Sequence, residues 1–197
     1  MAIKRSGGAA DGDFVGNEER ATPQTELREA LLLAGISELE AHGLTDFSLR
    51  RVAAACGVSC AAPYKHFESK EAFISAILAY IREKRELLEE HLCTAFPEAG
   101  RARLLELCLA DVRFWLGNPH FYAVHMMEKQ EGATLLGSYA EREIAALSRE
   151  TGRDAEALAY TLRSLVLGAI RMLADGTLPN ESATFRMLRE TLDTVIP

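Results

Sequence analysis

Tyr64, Lys65 and His66 set a phenol, an ammonium and an imidazole side by side, with Arg50, Arg51 and Lys70 close in sequence. Each of these groups can donate a hydrogen bond to a phosphate oxygen, so the chemistry they offer is the gripping of a polyanion. From Ser48 to Lys70 four basic residues stand against Glu68 alone, whereas from Glu71 onward fourteen basic residues face nineteen acidic ones. The net charge of −7 is therefore segregated, and local charge is what a phosphate meets. Cys56, Cys60 and His66 are near enough in sequence to suggest zinc, but a fourth ligand is missing and Cys56 suits a small buried position. No Ser-His-Asp order, phosphate loop or paired-carboxylate motif stands out. The expectation is a protein that is not an enzyme and carries no metal or cofactor.

The elements that must position these residues read as helices throughout. Residues 1–21, rich in glycine and short polar residues, have the composition of a disordered arm. Thr22-Pro23 is a helix opening, a cap followed by proline in the first turn. Leu32, Gly35, Ile36 and Leu39 then recur at helical spacing, and Gly43 suits the end of that helix. A short helix is expected from Ser48 to about Cys56, a third from about Cys60 to Phe67, and a fourth from Ser69 into the low nineties. Later periodicities place helices near 101–117, 119–129, 133–151, 154–175 and 181–196, separated by Phe96-Pro97, Gly117-Asn118-Pro119, Gly152 and Leu178-Pro179-Asn180. No alternation of period two appears. No apolar run approaches the roughly 18 residues of a membrane span. Without a signal peptide in Met1–Arg20 the expected location is the cytoplasm, where Cys56, Cys60, Cys93 and Cys108 stay thiols.

Around the basic cluster the local physics is that of two helices meeting at a tight turn. Val52, Ala53 and Cys56 form an inward face, Gly57 can take positive φ, Val58 plugs the junction, and Ser59 can cap the next helix. Ala61 and Ala62 are small enough to let that helix sink into a groove, and Pro63 sits in its first turn. An ordinary helical hairpin with a solvated basic face fits the same residues. The whole string narrows this. Ser48–Arg51, Val52-Ala53, Cys56-Gly57-Val58-Ser59, Tyr64-Lys65-His66-Phe67 and Ser69-Lys70-Glu71-Ala72-Phe73 together resemble the DNA-binding region of the tetracycline-repressor-like (TetR) family.

That resemblance spans about residues 25–80. It implies an all-α protein with an N-terminal three-helix helix-turn-helix domain, a long connecting helix, and a C-terminal helical domain that binds a small molecule and dimerises. The division expected is an arm over 1–21, a DNA-binding domain over 22–68 and a regulatory domain over 69–197. By the same resemblance Ser48, Arg50, Ser59, Cys60, Ala61, Ala62, Tyr64, Lys65, His66 and Lys70 occupy DNA-contacting positions. Cys60, Ala61 and Ala62 supply little hydrogen bonding to bases, which throws direct readout onto Arg50 and methyl contacts. The implied partners are operator DNA, a small-molecule effector and a second copy of the chain. Repressor is the commoner role for this resemblance. The competing reading is a helical small-molecule-binding protein or enzyme that has lost DNA binding.

Three further expectations concern the remainder of the chain. Leu158, Leu162, Leu165 and Ala169 form one stripe and Phe185, Leu188 and Leu192 another; together they make a four-helix dimer seam or else close the protomer's own core. The aromatic and sulfur-rich set Phe114, Trp115, Phe121, Tyr122, His125, Met126 and Tyr139 reads as a ligand pocket or as plain packing. Cys60, if it lies in the first turn of a capped helix, is placed for a thiol switch that blocks DNA docking.

Overall fold

The computed structural model describes residues 23–127 and 136–197. The expectations placed on the N-terminal arm and on the Thr22 cap lie outside the described residues. Eight α-helices make up the described chain: α1 (Pro23–His42), α2 (Leu49–Ala55), α3 (Lys70–Ala95), α4 (Arg101–Gly117), α5 (Pro119–Met127), α6 (Ser138–Thr151), α7 (Ala155–Ala174) and α8 (Ser182–Val195). The all-helical architecture expected from the periodicities is the one observed. Most boundaries agree to within about two residues, because the punctuating residues act locally; α6 instead starts at Ser138, and the helical positions expected at 128–129 and 133–135 lie outside the described residues. Ser48 accepts from the Arg51 amide at 3.4 Å, Ser69 from Ala72 at 3.1 Å, and Asp154 from Glu156 and Ala157 at 2.8 and 2.9 Å. Each satisfies amides that a helix start leaves without intrahelical acceptors.

The third helix is the exception. In place of a helix over 60–67 the chain forms a single 3-10 turn, Pro63–Lys65. Proline has no amide to bond back, so the run tightens into three-residue spacing: Ala62 N–H to Ser59 O at 2.9 Å, Lys65 to Ala62 at 3.1 Å and His66 to Pro63 at 3.0 Å. Ser59 thus contributes its carbonyl, not a capping side chain. Gly57, at φ +67°, makes the reversal out of α2 that a side-chain-bearing residue would resist.

One continuous core runs from the N-terminal helices, the head, into the later helices, the body, and both α3 and the packing of α1 on α5 link the two. In the head, the inward stripe Leu31, Leu32, Ile36 and Leu39 of α1 packs on Leu49 and Val52 of α2 and on Phe73 and Ile77 of α3. Phe73 stacks between Phe47 and Phe67, with ring centroids 5.8 and 4.6 Å away. In the body, α4 is the central helix; Leu104, Leu105, Leu107, Cys108, Leu109, Val112, Phe114 and Trp115 are all buried, so most of its circumference is covered, with Arg113 left exposed. The helix α7 is covered less completely. Leu158, Leu162, Val166, Ala169, Ile170 and Leu173 turn inward, while Tyr160, Leu167 and Met172 stay exposed. The expectation that no stretch could span a membrane also needs correcting. By length and composition α7 could, since only dispersed charges interrupt it, but its inward face belongs to the body's core.

The helix α3 runs from head to body, and near each end it meets a glycine. A Cβ on Gly35 would fall inside contact distance of Phe73 and Ile77, and one on Gly137 would overlap the Glu89 carboxylate. Near Gly137 two buried acids cap α6 from other helices: Asp111 of α4 accepts from the Gly137 amide at 3.0 Å, and Glu89 of α3 from Ala140 at 3.3 Å. Placing carboxyls at the positive end of a helix suits them. Burial nonetheless pushes the Asp111 carboxyl up to about 8, with Arg85 opposing the shift and Glu89 adding to it.

A pH experiment follows from that shift. The protonated form of Asp111 is the one the fold favours, so its contribution is complete below the ordinary value of 3.8 and is lost as pH rises towards about 8. His125 acts oppositely. Burial, then Arg85 and Arg82, lower it to about 4, so its contribution falls as the solution is acidified from 6.5. Unfolding free energies measured by denaturant titration between pH 6.5 and 9.5 should decline up to about pH 8 and then level off. In Asp111→Asn that decline should be missing; an identical slope in both proteins would refute the assignment.

Candidate nucleic-acid interface

The interface grows from the head's core outward. Phe67 anchors the segment after the 3-10 turn against Phe73, and Ala62 and Pro63 are buried beneath it. These contacts fix the turn without a long helix. Its outer surface then presents Ser59, Cys60, Ala61, Tyr64 and Lys65 to solvent, with Tyr64 59% exposed, while His66 is half-buried beside Phe67. Arg50 is exposed on α2 and makes no hydrogen bond or ion pair among the described residues. The head thus exposes Arg50 on α2 and Tyr64 and Lys65 on the turn, with His66 half-buried next to them in sequence.

Other residues of the string have structural partners. Ala62 faces the core, so its side chain is not offered to a groove. Ser48 is half-buried and is spent on capping α2. Lys70 is half-buried; its ammonium donates to the Leu44 carbonyl at 3.2 Å and lies 5.5 Å from the centre of the Phe47 ring. Arg51 is neutralised by Glu38, its Nε donating to Oε1 at 2.7 Å, and it also donates to the Asp46 carbonyl. The same Glu38 oxygen accepts the Ser48 amide at 3.2 Å. The Arg51 hydrogen bond holds the Glu38 carboxyl below its ordinary range. One acid thereby fixes both the start of α2 and the direction of its second arginine.

Arg28 was not legible in the sequence as part of this surface. It is exposed on α1, 35 residues before the turn begins at Pro63, yet its guanidinium lies 5.4 Å from the centre of the Phe67 ring. A cation held over an aromatic face keeps its outer N–H groups available. Only the tertiary packing of α1 against the turn creates the contact, so no local pattern announces it.

Cys60 is exposed, but it precedes the 3-10 turn and does not occupy a helix's first turn. The helical setting expected of a thiol switch is absent. Among the described residues no group of three His, Cys, Asp or Glu side chains is gathered to hold a metal ion.

In the body, five of the seven candidate pocket residues come together. Trp115 lies 4.8 Å from the His125 ring, 5.1 Å from Phe114 and 6.3 Å from Tyr122, and Phe121 completes the group 6.1 Å from Phe114. Arg85 stands 5.5 Å over Trp115, and Tyr80 joins edge-on to Phe121. Met126 is instead exposed, and Tyr139 turns outward to Glu90 at 3.3 Å. Of the two readings of the α7 and α8 stripes, closing the protomer's own core is the one these side chains fit. Leu158, Leu162, Ala169 and Leu192 are buried, and Leu165, Phe185 and Leu188 pack against the same core within one chain. Strong apolar periodicity marks the face a helix buries, and here α4 already covers it.

Residues 31–77 match the family model described as bacterial regulatory proteins, tetR family. No curated protein is significantly similar. Solved structures share the fold. A TetR family transcription regulator of Marinobacter aquaeolei VT8 is 17% identical, with a TM-score of 0.70 over 86% of this chain and 95% of its own. NalD of Pseudomonas aeruginosa, the secondary repressor of the MexAB-OprM multidrug efflux pump, is 22% identical, with a TM-score of 0.62 over 89% of this chain and 98% of its own. A TetR transcription regulator of Haloarcula marismortui is 21% identical, with a TM-score of 0.61 over 87% and 97%. The matched segment is the helix-turn-helix region, and the fold around it is that of TetR-family regulators.

The two lysines give a contrast to measure. Lys65→Ala should weaken binding to any duplex and lower the salt slope by about one ion per subunit. Lys70→Ala should leave the slope unchanged and lower thermal stability, because its ammonium already serves Leu44 and Phe47. Fluorescence anisotropy across a salt series reads both; equal slope losses would place Lys70 on the phosphate as well.

Proposed function

We propose that this chain, whose residues 31–77 match the tetR family, is a DNA-binding transcription regulator: a cytoplasmic, ligand-responsive repressor that holds a palindromic operator as a homodimer. The observation that carries the reading is the exposed set Arg50, Tyr64 and Lys65 on a turn whose reverse side is packed into the head's core. An anchored surface can hold donors at fixed positions along a phosphate backbone. Arg50, free of any intramolecular ion pair among the described residues, is the residue for base readout; Ser59, Cys60, Ala61 and His66 flank it, and Arg28 adds a phosphate contact. Arg50→Ala should cost about 1–3 kcal/mol per half-site and relax preference at one base pair. A mobility-shift series on single-base operator variants tests this. Failure to retain any duplex from the flanking genomic region would favour a helical small-molecule-binding protein that has lost DNA binding.

The dimer forms through the apolar surface the protomer leaves open. Tyr160, Ser164, Leu167 and Arg171 fall on one exposed stripe of α7, and Met187 is 45% exposed on the neighbouring α8. Tyr160 at 73% and Leu167 at 39% are large apolar side chains left exposed by their own chain, which marks an interaction surface. Two such helix pairs build a four-helix seam, and half-site centres would lie about one DNA turn or slightly more apart. The division into a head over 22–68 and a body over 69–197 fits this scheme, with Phe114, Trp115, Phe121, Tyr122 and His125 receiving the effector. Leu167→Glu should give a folded monomer by sedimentation, with operator affinity strongly reduced; a stable dimer would remove α7 from the seam.

A further inference from the structure

On the side of α8 that faces α4, three arginines converge on one groove of about 550 Å³, lined by Arg113, Asn180, Glu181, Ser182, Phe185, Arg186 and Arg189. That volume lies within the range of small-molecule sites, roughly 300–1,000 Å³. The charges are unequally settled. Arg189 is clamped by Glu106, with both guanidinium nitrogens on the two carboxylate oxygens at 2.6 and 2.9 Å. Arg113 and Arg186 are exposed, and neither forms an ion pair among the described residues. Glu181 is the only carboxylate in the lining. Gathering like charges is unfavourable unless a counter-charge joins them, and on a chain of net charge −7 this patch opposes the overall sign.

The groove also has a platform. The Arg113 guanidinium lies 4.9 Å from the centre of the Phe185 ring, which fixes its plane and leaves its edge N–H groups for an acceptor. Behind it α8 begins at Glu181 without a side-chain cap, so amides of its first turn add donors. Phe185 and Met187 are two residues apart on a helix, so the groove and the exposed apolar stripe of α8 point in nearly opposite directions.

The geometry points to an anion site in the body, separate from the aromatic cluster and the DNA-facing turn, in which Arg113 and Arg186 bind the oxyanion of a small phosphate- or carboxylate-bearing molecule. Asn180 and Ser182 supply neutral donors at its rim, and Phe185 offers an apolar face to the remainder of the ligand.

The test is titration calorimetry of the full chain with inorganic phosphate and, separately, with benzoate, each at ionic strength matched by sodium chloride. Saturable one-to-one binding of either probe is expected. Arg113→Gln and Arg186→Gln should each weaken it by about tenfold or more, the worth of one charge-assisted hydrogen bond. Tighter phosphate assigns a phosphorylated ligand, and tighter benzoate a carboxylate; both uphold the oxyanion site. Arg149→Gln, which removes an exposed arginine that bonds, among the described residues, only to the Ala145 carbonyl of its own helix α6, should bind as wild type. Absence of saturable binding by both probes, unchanged affinity in both groove variants, or an equal loss in Arg149→Gln would overturn the site. Far-ultraviolet circular dichroism verifies that each variant is folded.

Discussion

The helix α3 is held near both ends by side chains packed closely against a glycine in or capping another helix. Near its start Phe73 and Ile77 press on the backbone of α1 at Gly35, and near its end the Glu89 carboxylate presses on Gly137 at the start of α6. Between these points the helix is also pinned to α1 by polar contacts, since Tyr80 donates to Glu29 at 2.7 Å and Lys84 pairs with the same carboxylate at 3.2 Å. A close-packed interface cannot deform smoothly; it either keeps its fit or changes to another packing. The head can therefore shift relative to the body only together with α3. Adding one methyl at either glycine should cost about 1–3 kcal/mol in overpacking.

The body-side clamp uses chemistry that is expensive to bury. Glu89 and Asp111 lie in the core with Arg85 as the nearby cation, and burial raises both carboxyls. An isolated buried charge would be severely penalised, so these groups persist because backbone amides of α6 point at them and because Asp111 can keep its proton. The consequence is directional. Glu89 belongs to α3, Asp111 to α4 and the amides to α6, so three helices share one polar junction, beside which Trp115 and His125 stack. At the other side of α1, Glu40 pairs with His120 at the start of α5, and a small apolar cavity of about 50 Å³ lies among Leu39, Leu44, Ile74, Leu78, Val124 and Met127. The seam between head and body is thus bridged on two sides.

Much of this was legible in the sequence, for a physical reason: caps and breakers act over three or four residues. Ser48, Ser69 and Asp154 start helices and Gly57 turns the chain where their local chemistry requires it. The reading went wrong where one residue type has two uses. Pro63 was placed in the first turn of a helix, but with alanines before it and no amide of its own it tightened the segment into a 3-10 turn. The stripes through Leu162 and Leu188 have the periodicity of a buried face, and periodicity does not say whether the covering helix is α4 or another chain. Arg28 over Phe67, Glu38 holding Arg51, and the two glycine contacts of α3 were hidden because each joins residues distant in sequence.

If α3 makes head and body one mechanical unit, two optical probes on one protein must report the same unfolding. The chain has a single tryptophan, Trp115, buried in the body, and an exposed thiol, Cys60, in the head. Thermal unfolding is followed by Trp115 emission and by a fluorophore on Cys60, with the other three cysteines replaced by alanine. Coincident transitions from separate probes are the mark of a single cooperative unit. The account predicts that the two curves superimpose, and that Gly137→Ala, a change confined to the body, lowers both midpoints together. A head transition that stays in place while the body's midpoint falls would contradict it.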